Sequence, residues 1–589
     1  MQVARKAAKR HNARLVSDLP VSALKEKAKK NLREIFGIQT LRSLQPVAIK
    51  TALKRKSQIV VMATGGGKSL CYQLPATVLQ GVTVVVSPLL ALMLDQVRSL
   101  NEKGIKAEMV CSANTAKHNQ LVIDRLLGYH QKKKSTASSS SSKKAKIKVG
   151  VAAVSEQHLD PVTLLYATPE LIQSERFRKV LVELHKKKSL ALFAIDEAHA
   201  VSEWGHDFRP AYRKLGYLRD TFPDVPCLAC TATATPKVVK DIRESLRMPE
   251  ESFPCHMASF NRPNISYEVR YKDALDGVVP NGSIADLIRF VKDQHAESKR
   301  KKNPCSGIVY VHKRQDTDVL ANQIRKHAGV TAAAYHGGMK DADRKKVQGD
   351  WTGGVIKVAV ATVAFGMGID LAHVRYVIHW SLPKTVEGFY QESGRAGRDG
   401  DPSVSLMYYS KEDASKMAFV VRKFVKPGKE STAKRSLQGL QSMMEYATKP
   451  TCRREFLLGH FGERINPDEV CDRTCDFCKN PDRVRKAIQN SEVIKAALGP
   501  MRMFQQSQED AGGMDGEGLW EMEWGNDDVE NEEDYDLDGT GRWNDHDLRV
   551  TGGHGRDDEY FDNGGSSGKT GGSFVKASSI LSRLEVRYR

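Results

Sequence analysis

The chain predicts an α/β fold of two lobes, each a parallel sheet covered on both faces, then a small helical module with clustered cysteines and an acidic tail. Three observations carry this expectation. Short, continuous apolar runs at 58–62, 82–86, 164–166, 190–195 and 227–229 alternate with amphipathic stretches, the pattern of strands buried under helices on both sides. A second set of similar design follows at 307–311, 332–335, 355–359 and 376–378. Four of the ten cysteines, Cys452, Cys471, Cys475 and Cys478, then fall close together, ahead of a stretch rich in acids and glycine.

The 589 residues suit about four domains. Composition sets the boundaries: a basic N-terminal arm at 1–30, lobe one at 31–262, lobe two at 263–430, the cysteine module at 431–485 and a largely disordered tail at 486–589. Residues 132–148 hold seven lysines around a serine run, too polar to bury a core, so 131–150 reads as a low-complexity insertion in lobe one. Its lysines also suit a nuclear-import signal. The arm lacks an apolar segment and is no secretory signal; a solvated arm and a short mitochondrial-type presequence both fit its composition. No run of 18 or more apolar residues occurs, so no membrane-spanning helix is expected.

The formal net charge of +20 understates the basic surface. Between 509 and 547 sixteen acids face one base, Arg542; with that −15 set aside, the remainder carries +35. Such a surface attracts polyanions, because neutralised phosphates release condensed counterions. The acidic stretch has three readings: it solvates, it folds back over a basic channel, or it docks a basic protein partner. Residues 573–589 have weak helical spacing that suits docking onto a partner.

The chemistry concentrates in three motifs. Strand 58–62 runs into Ala63-Thr64-Gly65-Gly66-Gly67-Lys68-Ser69 and then an apolar helix-like segment, the context of a phosphate loop, although Met62 stands where the full pattern has glycine. Lys68 is expected at the β/γ-phosphates and Ser69 on Mg²⁺. The apolar run 192–195 ends in Asp196-Glu197-Ala198-His199, where Asp196 suits Mg²⁺ and Glu197 suits the attacking water. In the second lobe, Gln391-Glu392-Ser393-Gly394-Arg395-Ala396-Gly397-Arg398 offers two arginines that are expected to point together at a transferring phosphoryl group. Arginines on the other lobe would couple hydrolysis to lobe closure.

These motifs resemble superfamily 2 helicases. Thr168-Pro169-Glu170, Thr231-Ala232-Thr233 and the run from Ala361 to Asp370 look like the coupling motifs of that superfamily. Two features narrow the resemblance to RecQ-type DNA helicases. One is Ala200-Val201-Ser202-Glu203-Trp204-Gly205-His206-Asp207-Phe208-Arg209-Pro210, directly after the Asp-Glu-Ala-His tetrad; the other is Phe36-Gly37 with Leu41-Arg42-Ser43-Leu44-Gln45. The resemblance spans about 31–480 and implies two RecA-like lobes, ATP and Mg²⁺. It implies 3′–5′ movement on single-stranded DNA and unwinding of forked or tailed duplexes in recombination, repair and replication. It also implies a nuclear location, with the mitochondrion as the alternative.

Site roles follow by the same resemblance. Arg42 and Gln45 would meet the adenine, Gln45 through its amide and Arg42 by stacking. Thr64, Gly65, Gly66, Gly67 and Asp370 would complete the nucleotide site, and Gln391 would join the catalytic set. His199, Trp204, Phe208 and Arg209 would report single-strand binding to the hydrolytic centre, with the aromatic faces stacking on bases. Core packing is the competing reading for Trp204 and Phe208. Ser87, Thr168, Arg314 and Thr362 would contact the strand, mainly at phosphates.

The four cysteines form a closed thiolate set suited to structural Zn²⁺, which the family also carries at this place. Cys227 and Cys230 share metal-like spacing, but lie on an expected buried strand and are assigned to the core. After Cys478 no three-helix pattern with a β-hairpin is legible, so the chain is expected to resemble the eukaryotic branch without a winged helix. Two other functions are weighed: a DEAH-type RNA helicase, opposed by the aromatic loop and the cysteines, and a DNA-annealing scaffold in which hydrolysis is secondary.

Overall fold

A computed structural model describes residues 20–128, 161–203, 208–366, 371–423 and 430–491. Most of the basic arm, the lysine-rich insertion, Trp204, Asp370, and the acidic tail with its terminal stretch lie outside these described residues.

Among the described residues, lobe one is a seven-stranded, fully parallel sheet. Its strands are β1 (Gln58–Val61), β2 (Val82–Val86), β3 (Ala107–Val110), β4 (Leu164–Ala167), β5 (Leu190–Ile195), β6 (Cys227–Thr231) and β7 (Cys255–Met257), in the order β3-β4-β2-β5-β6-β1-β7. Successive residues face opposite sides of a strand, so a sheet covered on both faces needs apolar residues at every position. β1 shows this: Ile59 and Val61 enter one core, Val60 the other. The same alternation separates the two cysteines of β6, with Cys227 in the first core and Cys230 in the second. Their spacing puts them on opposite faces, which confirms them as core residues and not a ligand pair.

Among the described residues, lobe two is a six-stranded parallel sheet. Its strands are β8 (Ile265–Tyr271), β9 (Ser306–Tyr310), β10 (Ala332–Tyr335), β11 (Val358–Ala361), β12 (Val374–His379) and β13 (Ser403–Tyr409), in the order β10-β11-β9-β12-β13-β8. One strand departs from expectation. The run at 355–359 places its strand three residues early, because Val355 is exposed and its N–H closes the helix Asp341–Thr352 onto Asp350 O at 2.8 Å. Gly354, at φ +75°, makes the turn that releases the chain into β11. Strands β3, β7, β8 and β13 carry polar or alternating residues, and the apolar-run criterion passes over them.

All strands of a lobe run the same way, so their C-terminal ends share one edge. β6 lies between β5 and β1 in lobe one. The phosphate loop after β1, the tetrad after β5 and Thr231 ending β6 are therefore neighbours. The chain leaves β7 through residues 258–264 to reach β8. After β13, helices Lys411–Lys423, Glu430–Thr448 and Arg453–His460 lead into the cysteine cluster.

Candidate active site and metal centre

The phosphate loop is shaped by Gly65 at φ +79° and Gly67 at φ +76°, a backbone region that costs an L side chain about 1–2 kcal/mol. Lys68 Nζ reaches back to Met62 O at 3.4 Å. Gln45 lies against the loop: its Nε2 donates to Gly66 O and Gly67 O, each at 3.2 Å, and its Oε1 accepts the Arg42 N–H at 2.8 Å. Its amide is thus engaged by the loop and its own turn, where the family pattern assigns it to an adenine edge. A Cβ on Gly67 would stand 2.3 Å from Gln45 Nε2, so only glycine leaves room for this strut.

At the end of β5, Asp196 is buried, with Oδ2 accepting from Tyr72 OH at 3.1 Å and Oδ1 from the Glu197 N–H at 3.0 Å. Burial, and then the charge of Glu197, push its carboxyl up to about 6, against the pull of Lys68. A carboxylate so placed lacks positive charge. With the Ser69 hydroxyl beside the same loop, it offers the hard oxygen donors that Mg²⁺ takes, so the residues fit that ion.

Glu197 adopts a left-handed conformation, φ +47° and ψ 46°. His199 Nδ1 lies 3.3 Å from Glu197 Oε2 and 2.9 Å from Thr231 Oγ1. The Thr231 hydroxyl donates to Thr233 O at 3.1 Å, so it accepts from His199, which places the imidazole proton on Nδ1. His199 therefore joins the carboxylate after β5 to the Thr-Ala-Thr turn after β6.

The loop beyond the tetrad is anchored from both sides. Arg209 Nη1 donates to Pro88 O at 3.0 Å, which ties it to the Ser87-Pro88-Leu89 turn rather than presenting it outward. Phe208 is half-buried and belongs to neither packed core, with the Arg213 guanidinium 5.1 Å above its ring. Glu203 pairs with Arg213 at 2.9 Å and with Arg435 of helix Glu430–Thr448 at 2.6 Å, a bridge from lobe one to the helices after lobe two. Of the expected strand contacts, Ser87 and Thr362 are buried and the Thr168 hydroxyl caps the next helix on Leu171 N at 3.3 Å. Arg314 opens the helix Arg314–Gln323 and is half-buried.

The two arginines of lobe two do not point together. Arg395 is buried and donates to Gly366 O within its own lobe. Arg398 instead crosses to the phosphate loop, where its Cγ would lie 3.2 Å from a Cβ on Gly65. The turn after helix Val386–Ser393 drives this divergence: Gly397 at φ +58° reverses the chain between the two side chains. Gln391 is half-buried on that helix. The lobes meet closely, since a Cβ on Gly394 would lie 3.0 Å from Thr64 Cβ.

One residue at this meeting point escaped the motif reading. Arg262 stands at the expected boundary between lobes, where the Asn261-Arg262-Pro263-Asn264 segment looks like a plain linker. Its guanidinium donates to Thr64 O at 2.9 Å and to Gly394 O, Ala396 O and Gly397 O at 3.2, 3.0 and 3.0 Å. The only sequence signal for it is an arginine before a proline at a domain junction.

The four clustered cysteines come together in space. Cys452 and Cys475 precede the short helices Arg453–His460 and Asp476–Lys479, and the four sulfurs all lie within 4.8 Å of one another. Tetrahedral zinc with bonds of about 2.3 Å holds sulfurs about 3.8 Å apart. Cys452 and Cys475 Sγ are 3.9 Å apart, and Cys475 Sγ also accepts the Cys478 N–H at 3.4 Å. Four thiols with no open position suit structural Zn²⁺.

Comparison with known proteins agrees with this geometry. Residues 42–242 match the DEAD/DEAH box helicase family and 284–400 the helicase conserved C-terminal domain, which defines a two-lobed superfamily 2 helicase. Residues 411–479 match the RecQ zinc-binding domain. ATP-dependent DNA helicase Q5 of Mus musculus is 35% identical over 489 residues, 80% of this chain and 46% of that protein. RecQ-like DNA helicase blm-1 of Caenorhabditis elegans is 38% identical over 81% of this chain and 44% of its own length. ATP-dependent DNA helicase RecQ of Haemophilus influenzae is 36% identical over 79% of this chain and 66% of its own length. The chain belongs to the RecQ family of superfamily 2 helicases. It spans between 44% and 66% of the length of these three relatives.

Proposed function

We propose that this chain is an ATP-dependent 3′–5′ DNA helicase that couples hydrolysis to movement along single-stranded DNA and so unwinds forked or tailed duplexes. One observation carries the reading: Arg398 of lobe two packs on Gly65 of the phosphate loop, so hydrolytic groups are assembled only when the lobes close. Lys68 and the loop backbone around Thr64–Ser69 hold the phosphates, while Glu197 orients the water and takes its proton. Mg²⁺, held by Asp196 and Ser69, would offset charge on the phosphoryl oxygens. Arg398 stabilises the charge that develops there, and Arg395 holds the turn that presents it. Gln391 completes the cleft and Arg42 stacks on the base; the nucleotide role of Asp370 rests on the family resemblance alone.

His199 carries the state of Glu197 to Thr231 and the neighbouring loop. Through that loop Trp204 and Phe208 answer to stacked bases, and Arg209 holds it on the Ser87 turn. Thr168 and Arg314 line the rest of the strand path, with Thr362 buried behind it. The family's zinc module and the basic surface favour DNA as the track, and genome maintenance in the nucleus as the setting.

The test is unwinding of 3′-tailed and 5′-tailed duplexes by the wild type and Lys68→Ala. Activity on the 3′ tail alone, abolished by the substitution, is the expected result. Hydrolysis stimulated by RNA and not by DNA overturns the reading.

A further inference from the structure

We propose that Arg262 is a positioning residue that locks the closed ATP cleft, and that the cysteine module holds it in register through Arg454. The inference rests on the motor reading above and adds a linker residue to it.

Arg262 sits between β7 and β8, yet its side chain grips both walls of the cleft. Thr64 O belongs to the phosphate loop, whereas Gly394 O, Ala396 O and Gly397 O surround Arg395 and bring the chain to Arg398. A planar guanidinium can serve four carbonyls at once; an ammonium, a point charge with three donors, cannot span the same set. Thr64 O lies in lobe one and the other three carbonyls in lobe two, so the full set of four exists only while the cleft is shut. Stabilisation confined to the closed form acts on turnover more than on nucleotide binding.

The backbone of Arg262 is held from the other side. Arg454, buried at the start of helix Arg453–His460, donates to Arg262 O at 2.7 Å, Asn261 Oδ1 at 2.9 Å and Pro263 O at 3.3 Å, and also to Ile265 O. Its Nε and Nη2 reach Thr474 Oγ1 at 3.1 and 2.9 Å, and the Thr474 N–H closes on Cys471 O at 2.9 Å. Glu463 takes the Phe260 N–H at 2.8 Å, and Phe461 stacks on Phe260 with centroids 4.5 Å apart. The linker is thus clamped along its length by the metal-binding module. A continuous path runs from Cys471 through Thr474, Arg454 and Arg262 to the phosphate loop.

The experiment compares full-length wild type, Arg262→Ala, Arg262→Lys, Arg454→Lys and the Arg262→Ala/Arg454→Lys pair. The measurements are ATP turnover with oligothymidylate, affinity for a fluorescent ADP analogue, zinc content and thermal midpoint. Displacing reacting groups by about 1 Å costs about 100-fold in rate, so Arg262→Ala is expected to lower kcat between about 10- and 100-fold. ADP affinity should change less than about threefold, with zinc content and thermal midpoint retained. Arg262→Lys recovers part of the rate. Arg454→Lys lowers kcat with zinc still bound, and the pair is no slower than Arg262→Ala alone, because both act on one path.

Turnover of Arg262→Ala within about twofold of wild type overturns the proposal. So does a parallel loss of turnover, ADP affinity and thermal midpoint, which marks a merely structural residue. Multiplying effects in the pair overturn the link to the cysteine module. A wild type without DNA-stimulated hydrolysis overturns the motor reading itself, and this inference with it.

Discussion

Gly67→Ala tests how the phosphate loop is held. At φ +76° the alanine carries about 1–2 kcal/mol of backbone strain. Its Cβ would also stand 2.3 Å from Gln45 Nε2, so the amide must leave. Leaving forfeits two donations at 3.2 Å and the acceptor that holds the Arg42 N–H at 2.8 Å. At about 0.5–1.5 kcal/mol net for each bond, and less for the two long ones, the loss is about 1.5–3 kcal/mol. Nucleotide affinity should fall between about 10- and 100-fold from this part alone, at about 1.4 kcal/mol per tenfold. A double-mutant cycle read through fluorescent ADP and GDP analogues measures the strut. Gln45→Ala should weaken binding in the wild-type background and add nothing in Gly67→Ala, whose Gln45 is already displaced. If Gln45 supports the loop, ADP and GDP lose affinity by the same factor. A loss for ADP alone, or the same Gln45→Ala effect in both backgrounds, refutes the strut and returns Gln45 to the adenine edge.

The diverging arginines predict separate phenotypes: Arg398→Ala should lose turnover by several powers of ten while the fold persists, as for arginine fingers worth about 10³–10⁵. Arg395→Ala should instead destabilise the protein by about 1–3 kcal/mol in urea, because it leaves Gly366 O without its buried donor. Cys478→Ser opens the tetrahedral set, so zinc content measured by chelator release should fall below one per chain, with a thermal midpoint lower by at least about 5 °C. His295 is buried against Tyr376 OH at 3.0 Å, and burial, then Lys357 and Lys299, lower its pKa to about 4. The unfolded chain, with the usual 6.5, binds the extra proton between these values, so stability is full above 6.5 and falls as pH drops towards 4. The loss at pH 5 is about 2 kcal/mol, and His295→Gln should flatten that slope in urea titrations from pH 7 to 5.

Much of the fold was legible because a sheet buried on both faces needs unbroken apolar runs. β2, β5 and β10 occupy the runs at 82–86, 190–195 and 332–335 without shift. β8 escaped because its burial alternates, and β13 because serines interrupt it. The run at 355–359 misled because hydropathy takes no account of a backbone N–H committed to closing the preceding helix.

The sequence alone determined the local chemistry: a glycine-shaped phosphate loop, an acidic pair at a strand end and four thiols in metal spacing. Such features depend on neighbours a few residues apart, and the chain itself carries them. Tertiary structure decided which partner each group finds. It set Gln45 on the loop, parted Arg395 from Arg398, and turned Arg262 into the bond between lobes. Those contacts join positions from 21 to 198 residues apart, and the same arginine or glutamine would satisfy its donors equally well elsewhere. Only the packing of two sheets, with the cysteine module pressed on the linker, selects among them.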